Sequence, residues 1–109
     1  SYTGVDGVLF NKNKTTLVAY PDGKETVYTI PDGVTNIDNY AFYGCENLTQ
    51  VTIPDSVTSI GKWAFSLCTK LQTINFGGSE EQWNQITKGI DWDKNTCEDV
   101  GGYTLKFGA

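Results

Sequence analysis

The sequence predicts a short α/β solenoid, in which coils that are mostly β-strand with short helical turns stack into a superhelix. Two observations support this prediction. Residues 28–50 and 51–73 align without a gap at an offset of 23 residues, and 11 of the 23 aligned positions are identical. The identical residues are mostly apolar or turn-forming, as expected of a repeat that buries one face against its neighbours. A chain of 109 residues has room for one such domain with a modest core.

Residues 1–27 differ from the repeats and are predicted to form an N-terminal hairpin cap. Two apolar, β-prone runs at residues 8–10 and 17–20 flank a polar turn at residues 11–15. This pattern is typical of a β-hairpin. Because the first coil of a solenoid would otherwise expose its apolar side, we expect the hairpin to cover it.

The two repeats, residues 28–50 and 51–73, share one order of elements. A short strand that alternates apolar and polar residues ends at a proline, which cannot donate to a strand ladder. A Val-x-x-Ile pair follows, and a short helical turn over residues 39–44 or 62–67 then carries an Ala-Phe pair. We expect the recurring apolar positions to form the core: Ile30/Ile53, Val34/Val57, Ile37/Ile60, Ala41/Ala64, Phe42/Phe65, Cys45/Cys68 and Leu48/Leu71.

Residues 74–109 are predicted to form a partial repeat followed by a C-terminal cap. Residues 74–76 continue the strand pattern, and a Gly-Gly pair then interrupts it. Apolar and polar residues alternate again over residues 103–107, which predicts a final strand.

A helix is predicted inside this C-terminal segment. Ser79 and Gln82 have the spacing of a capping box, with two acids between them that suit the positive end of a helix dipole. We expect the helix to run to Gly89, a suitable residue just after a helix end. Trp83 would anchor it to the rest of the domain.

The three cysteines do not form a disulfide framework, because their number is odd. Cys45 and Cys68 occupy the same repeat position, and Cys97 lies in the predicted cap. Coils stacked about 4.8 Å apart would place the first two near the lower limit of disulfide geometry. We expect both to be buried thiols, since cysteine packs well as a small apolar side chain.

Composition excludes several classes of function. The net charge is −5, and the eight basic residues are single, scattered lysines. Nucleic-acid binding is therefore not expected, since it requires clustered cations. No apolar run is long enough to cross a membrane, so we expect no membrane insertion of this segment. Because the chain begins at Ser1 without a methionine, we expect it to be part of a longer protein.

Catalysis is not expected either. The chain has no histidine to act as a general base or to bind a metal, and it has no CxxC motif. Glu80 and Glu81 are neighbours in the first turn of the predicted helix, where acids are ordinary. We therefore predict no enzyme, no cofactor and no metal.

Residues 91–95 leave one question of metal binding open. They read Asp-Trp-Asp-Lys-Asn, as at the start of a calcium loop. An EF-hand is excluded because Thr96 and Gly102 stand at the sixth and twelfth positions, which require Gly and Glu. A weak, irregular calcium site near Asp91 and Asp93 is one reading, and a solvated turn is the favoured one.

The string IPDxVTxIxxxAFxxCxxL, present twice, resembles the BspA-type leucine-rich repeat, a class with a 23-residue period. The segments GVLFNKNKTTLVAYP, GGSEEQWNQI and DWDKNT resemble sequences that flank such arrays. The resemblance implies a right-handed leucine-rich-repeat superhelix with parallel strands. It also implies an extracellular or cell-surface protein of a host-associated microbe that adheres to host proteins or other cells. It carries no catalytic or ligand-binding residues over to this chain.

These observations predict a non-enzymatic adhesion or recognition module whose partner is a protein or glycan on host or neighbouring cells. Because strand residues alternate between faces, one outward strip of polar side chains is the candidate binding face: Thr29, Thr52 and Asn75 in the strands, with Gln50 and Thr73 just before them. A plain solvated sheet face is the alternative reading of the same strip. Tyr40 and Trp63 share a repeat position and are secondary candidates, although packing between coils is the favoured reading for them. Alternatives are a structural spacer and an ancillary module of a secreted carbohydrate-active enzyme.

Overall fold

A computed structural model describes residues 2–5, 7–21, 26–94 and 102–108 of the chain. Within these ranges the regular secondary structure is mostly strand, with one short helix. The elements in chain order are β1 (Tyr2–Val5), β2 (Val8–Asn11), β3 (Thr16–Ala19), β4 (Val27–Thr29), β5 (Asn36–Ile37), β6 (Gln50–Ile53), β7 (Ser59–Ile60), β8 (Thr73–Phe76), α1 (Glu80–Gln85), β9 (Thr87–Lys88) and β10 (Thr104–Phe107).

Each coil contributes one strand to each of two sheets. The first sheet has the order β10-β8-β6-β4 and is parallel throughout. The second has the order β1-β2-β3-β5-β7-β9 and is parallel from β3 onward. Residues that are one 23-residue repeat apart pair with each other, as Thr29 does with Thr52. The predicted parallel, solenoid-like repeat fold is therefore confirmed.

The predicted N-terminal hairpin is present as β2 and β3, which pair antiparallel. The side chain of Asn11 closes the turn, since its Oδ1 accepts hydrogen bonds from the amides of Thr15 and Thr16 at 2.8 and 3.0 Å. The sequence analysis missed β1, which adds a third antiparallel strand beside β2. Because β3 pairs in parallel with β5, the hairpin extends the second sheet.

The segments 39–44 and 62–67 are not the short helical turns that the sequence predicted. They consist of successive tight turns. The amides of Tyr40 and Phe42 donate to the carbonyls of Lys62 and Ala64 in the next coil, at 3.0 and 2.7 Å. These amides are therefore not used for hydrogen bonds within a helix. Tyr40 also has a φ of 61°, which a right-handed helix does not permit.

The path of the coils continues beyond the end of the sequence repeat. The amides of Trp63 and Phe65 donate to the carbonyls of Ile90 and Trp92, at 3.2 and 2.7 Å. Equivalent residues are 28 positions apart in this third coil instead of 23, since Ser59 pairs with Thr87 and Ile60 with Lys88. The extra length is taken up where α1 lies between β8 and β9.

The helix α1 begins as predicted and ends earlier than predicted. The capping box is confirmed, because Ser79 Oγ accepts from the Gln82 amide and Gln82 Oε1 accepts from the Ser79 amide. The prediction that the helix reaches Gly89 is wrong. Ile86 has extended backbone angles, and Thr87–Lys88 pair with β7 as strand β9. Pairing with the second sheet is therefore favoured over another helical turn.

Two glycines are required by the close approach of neighbouring coils. A Cβ on Gly61 would lie 2.5 Å from the Asn39 backbone nitrogen. A Cβ on Gly89 would collide with the backbone nitrogen of Lys62. Gly89 is therefore a stacking position of the third coil, equivalent to Gly61 in the second, and not a residue that ends a helix.

The core confirms the predicted repeat positions, and every one of them is buried. Phe42 and Phe65 are fully buried, with ring centroids 4.7 Å apart and planes 11° from parallel. Tyr20 stacks on the other side of Phe42 at 5.0 Å. In the third coil Trp92 meets Phe65 edge-on at 6.1 Å. A column of aromatic rings therefore runs from Tyr20, which follows the hairpin, to Trp92 in the turns of the third coil.

Trp83 anchors α1, as predicted. It is 6% exposed and packs edge-on against Phe76 and Trp92, at 5.3 and 5.8 Å. The Lys88 ammonium lies 4.6 Å from the Trp83 ring and donates to the Trp83 carbonyl at 2.8 Å. Burial lowers the pKa of Lys88, while the nearby Asp93 carboxylate acts in the opposite direction.

The two repeat cysteines are buried, as predicted. Cys45 is a free thiol whose Sγ lies 3.7 Å from the Tyr20 carbonyl. The Sγ of Cys68 donates to the Phe42 carbonyl at 3.0 Å. Cys97 lies outside the described residues.

Truncation of a stacked phenylalanine should be severe. We expect Phe65→Ala to lower the free energy of unfolding by about 3–5 kcal/mol, because it opens a cavity in the aromatic column. Urea denaturation followed by circular dichroism measures the loss. Phe107→Ala is the control, since that ring is 37% exposed and should cost much less. Equal stability of the two variants would contradict the assigned stacking.

The close approach at Gly61 can be tested with one methyl group. Gly61→Ala should lower the free energy of unfolding by about 1–3 kcal/mol, since the new Cβ forces the second coil away from the Asn39 backbone. Gly4→Ala is the matched control, because nothing lies within 4 Å of a Cβ there. Thermal melting of the two variants against the parent gives the comparison, and a stable Gly61→Ala variant would contradict this packing.

Burial should protect the Cys45 thiol from modification. We expect native protein to react with iodoacetamide at this residue at least about tenfold more slowly than denatured protein, because the reagent must wait for an opening of the structure. Peptide mass spectrometry after timed labelling measures the rate at each cysteine separately. Equal rates in the native and denatured states would show that the site is accessible.

Candidate functional site

The outward face of the first sheet carries all five predicted polar residues. Val51 and Ile53 of β6 are fully buried, and the residues that alternate with them point away from the core. Strand pairing aligns these outward residues in two rows. We call this set the polar strip: Thr29, Thr52 and Asn75 form one row, and Gln50 and Thr73 form the other.

The structure corrects and extends the polar strip. Gln50 and Thr73 were expected just before the strands, but they are the first residues of β6 and β8. Val27 precedes Gln50 in its row, and Lys106 of β10 follows Asn75 in the other. Sequence reasoning missed Lys106 because nothing in the local pattern says that β10 pairs with β8.

The chemistry of the polar strip is that of hydroxyl and amide groups. Thr29 is exposed, whereas Thr52 and Asn75 are half-buried. The Asn75 amide approaches Thr52 Oγ1 at 3.5 Å, a long contact that leaves both groups able to bond to a partner. Lys106 adds one exposed cation at the β10 side. Such a surface can recognise hydrogen-bonding groups on a protein or a glycan.

A depression of about 340 Å³ lies at the end of the polar strip that faces the prolines. Thr29 and Thr52 form part of its wall, and Gly77 lies at its edge. Asp32 and Asp55, which share one repeat position, line it with exposed carboxylates. This end of the strip is therefore acidic and accepts hydrogen bonds.

The secondary candidates, Tyr40 and Trp63, lie on the turns that follow β5 and β7. Tyr40 is 50% exposed, and Trp63 is half-buried. The ring of Tyr43 lies between them, with centroids 5.5 Å from Tyr40 and 6.4 Å from Trp63. Sequence reasoning missed Tyr43 because its repeat counterpart is the buried Ser66, so the position does not recur as an aromatic.

Asp91 and Asp93 lie in the turns of the third coil. Asp91 occupies the same left-handed position as Tyr40 and Trp63, with a φ of 53°. Asp93 Oδ2 accepts a hydrogen bond from the Tyr103 hydroxyl at 2.9 Å. Within the described ranges no three Asp, Glu, Cys or His side chains are grouped to hold a metal ion. Residues 95 and 96 of the calcium-like string lie outside those ranges.

Stacked coils with a strand in each of two parallel ladders, at a period of 23 residues, define a leucine-rich-repeat type of protein. Residues 19–89 match the family model described as the BspA type leucine rich repeat region. The chain therefore belongs to the BspA-type leucine-rich-repeat family, and the resemblance inferred from the sequence is confirmed.

Solved structures of bacterial repeat proteins are similar to this chain. A leucine-rich repeat protein from Eubacterium ventriosum is 34% identical over 72% of this chain, with a TM-score of 0.51. A leucine rich cell surface protein from Faecalibacterium prausnitzii is 27% identical over 82%, with a TM-score of 0.62. The pneumococcal vaccine antigen PcpA shares the fold over 100% of this chain, at 18% identity and a TM-score of 0.61.

The chain spans only part of these proteins, namely 27%, 26% and 37% of their respective lengths. No curated protein matches it. Across the described residues, no helix has the length and apolar character needed to cross a membrane.

Proposed function

We propose that this chain is a recognition module of a secreted or cell-surface protein, which adheres to a protein or glycan on host or neighbouring cells. The observation that carries the proposal is the polar strip. Its hydroxyl and amide groups are held in register by the first sheet and are not taken up by the core. Hydrogen-bonding rows on a rigid sheet suit recognition, because the sheet pays little ordering cost on binding.

A surface location is supported by the similarity to the leucine rich cell surface protein of Faecalibacterium prausnitzii, at 27% identity. Further support comes from the acidic balance of the chain, whose net charge of −5 favours solubility over binding to anionic polymers. We extend this location to the chain as part of the same proposal.

The proposed module acts without catalysis. The absence of histidine from the sequence supports this, since the common general base is missing. The buried position of Cys45 is also unsuited to a nucleophile that must meet a substrate. Glu80 and Glu81 lie in the first turn of α1, where they interact with the helix dipole.

Binding by one copy should be weak. A standard protein interface buries about 800 Å² on each partner, and the polar strip spans only a few short strands. Strong adhesion would then come from many repeats or many copies acting together, since linked sites raise the effective concentration.

Negative charge placed on the polar strip should strongly weaken adhesion without unfolding the domain. We expect Thr52→Glu combined with Asn75→Glu to reduce binding of bead-displayed domain to epithelial cells by about tenfold or more, since buried carboxylates at an interface lack partners. Both residues point away from the core, so the melting temperature should change little. Flow cytometry counts the beads that remain bound.

The matched control is Asn47→Glu combined with Asn84→Glu, which adds the same charge at exposed sites outside the polar strip. This control should adhere like the parent. If both double variants adhere equally well, the polar strip is not the binding face. If the parent beads do not adhere to any cell, matrix protein or glycan, the chain serves as a spacer.

A further inference from the structure

Three aromatic side chains, two of them exposed, lie together on the turns after β5 and β7. Tyr40 and Tyr43 are 50% and 44% exposed, and Trp63 beside them is half-buried. The rings of Tyr40 and Tyr43 meet at 74°, and those of Tyr43 and Trp63 meet at 67°. We call this group the aromatic corner. It lies on different elements from the polar strip.

The backbone does not require these aromatic residues. Tyr40 and Trp63 have φ values of 61° and 59°, the left-handed conformation that glycine and asparagine adopt with least strain. In the third coil Asp91 takes the same conformation, with a φ of 53°. The turn therefore forms with a small polar residue at this position, and a bulky residue there adds backbone strain.

Packing does not explain them either. The buried aromatic residues Tyr20, Phe42 and Phe65 lie within the column of rings that links the coils. By contrast, half of the Tyr40 side chain stays in contact with solvent. Tyr40, which is both strained and exposed, and its exposed neighbour Tyr43 therefore call for an explanation outside the fold.

Polar residues adjoin the aromatic corner in the chain, and one cation lies near it in space. Asn39 and Lys62 are exposed and precede Tyr40 and Trp63 directly in the chain. The Lys94 ammonium lies 6.0 Å from the Trp63 ring centroid. The patch thus combines apolar ring faces, phenolic hydroxyls and hydrogen-bond donors within a small area.

We propose that the aromatic corner is a carbohydrate-binding site that takes a pyranose ring. One side of such a ring presents C–H groups, which pack on the electron-rich face of a tyrosine or tryptophan, and its edge carries hydroxyls for the polar neighbours. A sugar fits this patch better than a protein does, because a protein interface needs a larger area and a well-packed apolar centre. The site is independent of the role proposed for the polar strip.

Titration of isotope-labelled full chain with chitotriose, cellotriose and N-acetyllactosamine tests the assignment. We expect at least one of the three to shift the amide signals of Tyr40, Tyr43 and Trp63 saturably, with a Kd of about 1 mM or below. Failure of all three to produce a saturable shift at these residues overturns the proposal.

Tyr40→Asn combined with Tyr43→Ala removes both exposed rings. Asparagine tolerates the left-handed conformation, so we expect an unchanged or higher melting temperature and a loss of sugar affinity of about tenfold or more. Retention of affinity by this variant overturns the proposal.

Asn47→Glu combined with Asn84→Glu is the control, because both residues are exposed and lie outside the aromatic corner and the polar strip, and it should bind the sugar as the parent does. A saturable shift of the Thr52 and Asn75 amide signals in place of those of Tyr40, Tyr43 and Trp63 would show that the sugar occupies the polar strip, which also overturns the proposal. The proposal is also overturned if a protein partner binds through Tyr40 and Tyr43 and the sugars do not compete with that binding.

Discussion

Backbone pairing between successive coils is the constraint on which the rest of this structure depends. Amides in the turns donate to the next coil, as the Phe42 amide does to Ala64 and the Phe65 amide does to Trp92, both at 2.7 Å. Since these amides are used between coils, the turns cannot become helices. The same close approach leaves no room for a side chain at Gly61 or Gly89. Local conformation therefore follows from stacking and not from local propensity.

The pairing also determines how the core is built. Equivalent side chains in neighbouring coils lie at the spacing of adjacent strands, which is about 4.8 Å. Phe42 and Phe65 stack at nearly this distance, with centroids 4.7 Å apart. The third coil keeps the aromatic column although its residues differ, because Trp92 meets Phe65 and also contacts Trp83 of the helix. The third coil thus keeps the aromatic column although its sequence differs and α1 is inserted between β8 and β9.

The same spacing organises the surface. Outward residues repeat in rows along the first sheet, and so a modest polar group such as that of Thr52 is aligned with its neighbours Thr29 and Asn75. The turns display a different chemistry, with exposed rings at Tyr40 and Tyr43. One small domain can therefore offer a hydrogen-bonding face and an aromatic face, each made by side chains that the core does not need.

The sequence by itself determined the repeat, the hairpin, the capping box at Ser79 and the buried layer, because each depends on a periodic or short-range pattern. It also placed the polar strip, since strand alternation is a local property. Tertiary structure alone decided that β10 pairs with β8, which adds Lys106 to that strip. It likewise decided that Gly89 is a stacking residue and that Tyr43 lies between Tyr40 and Trp63. The physical reason is that these features depend on hydrogen bonds and contacts between coils, whose partners are distant in the chain and whose offset changes from 23 to 28 residues.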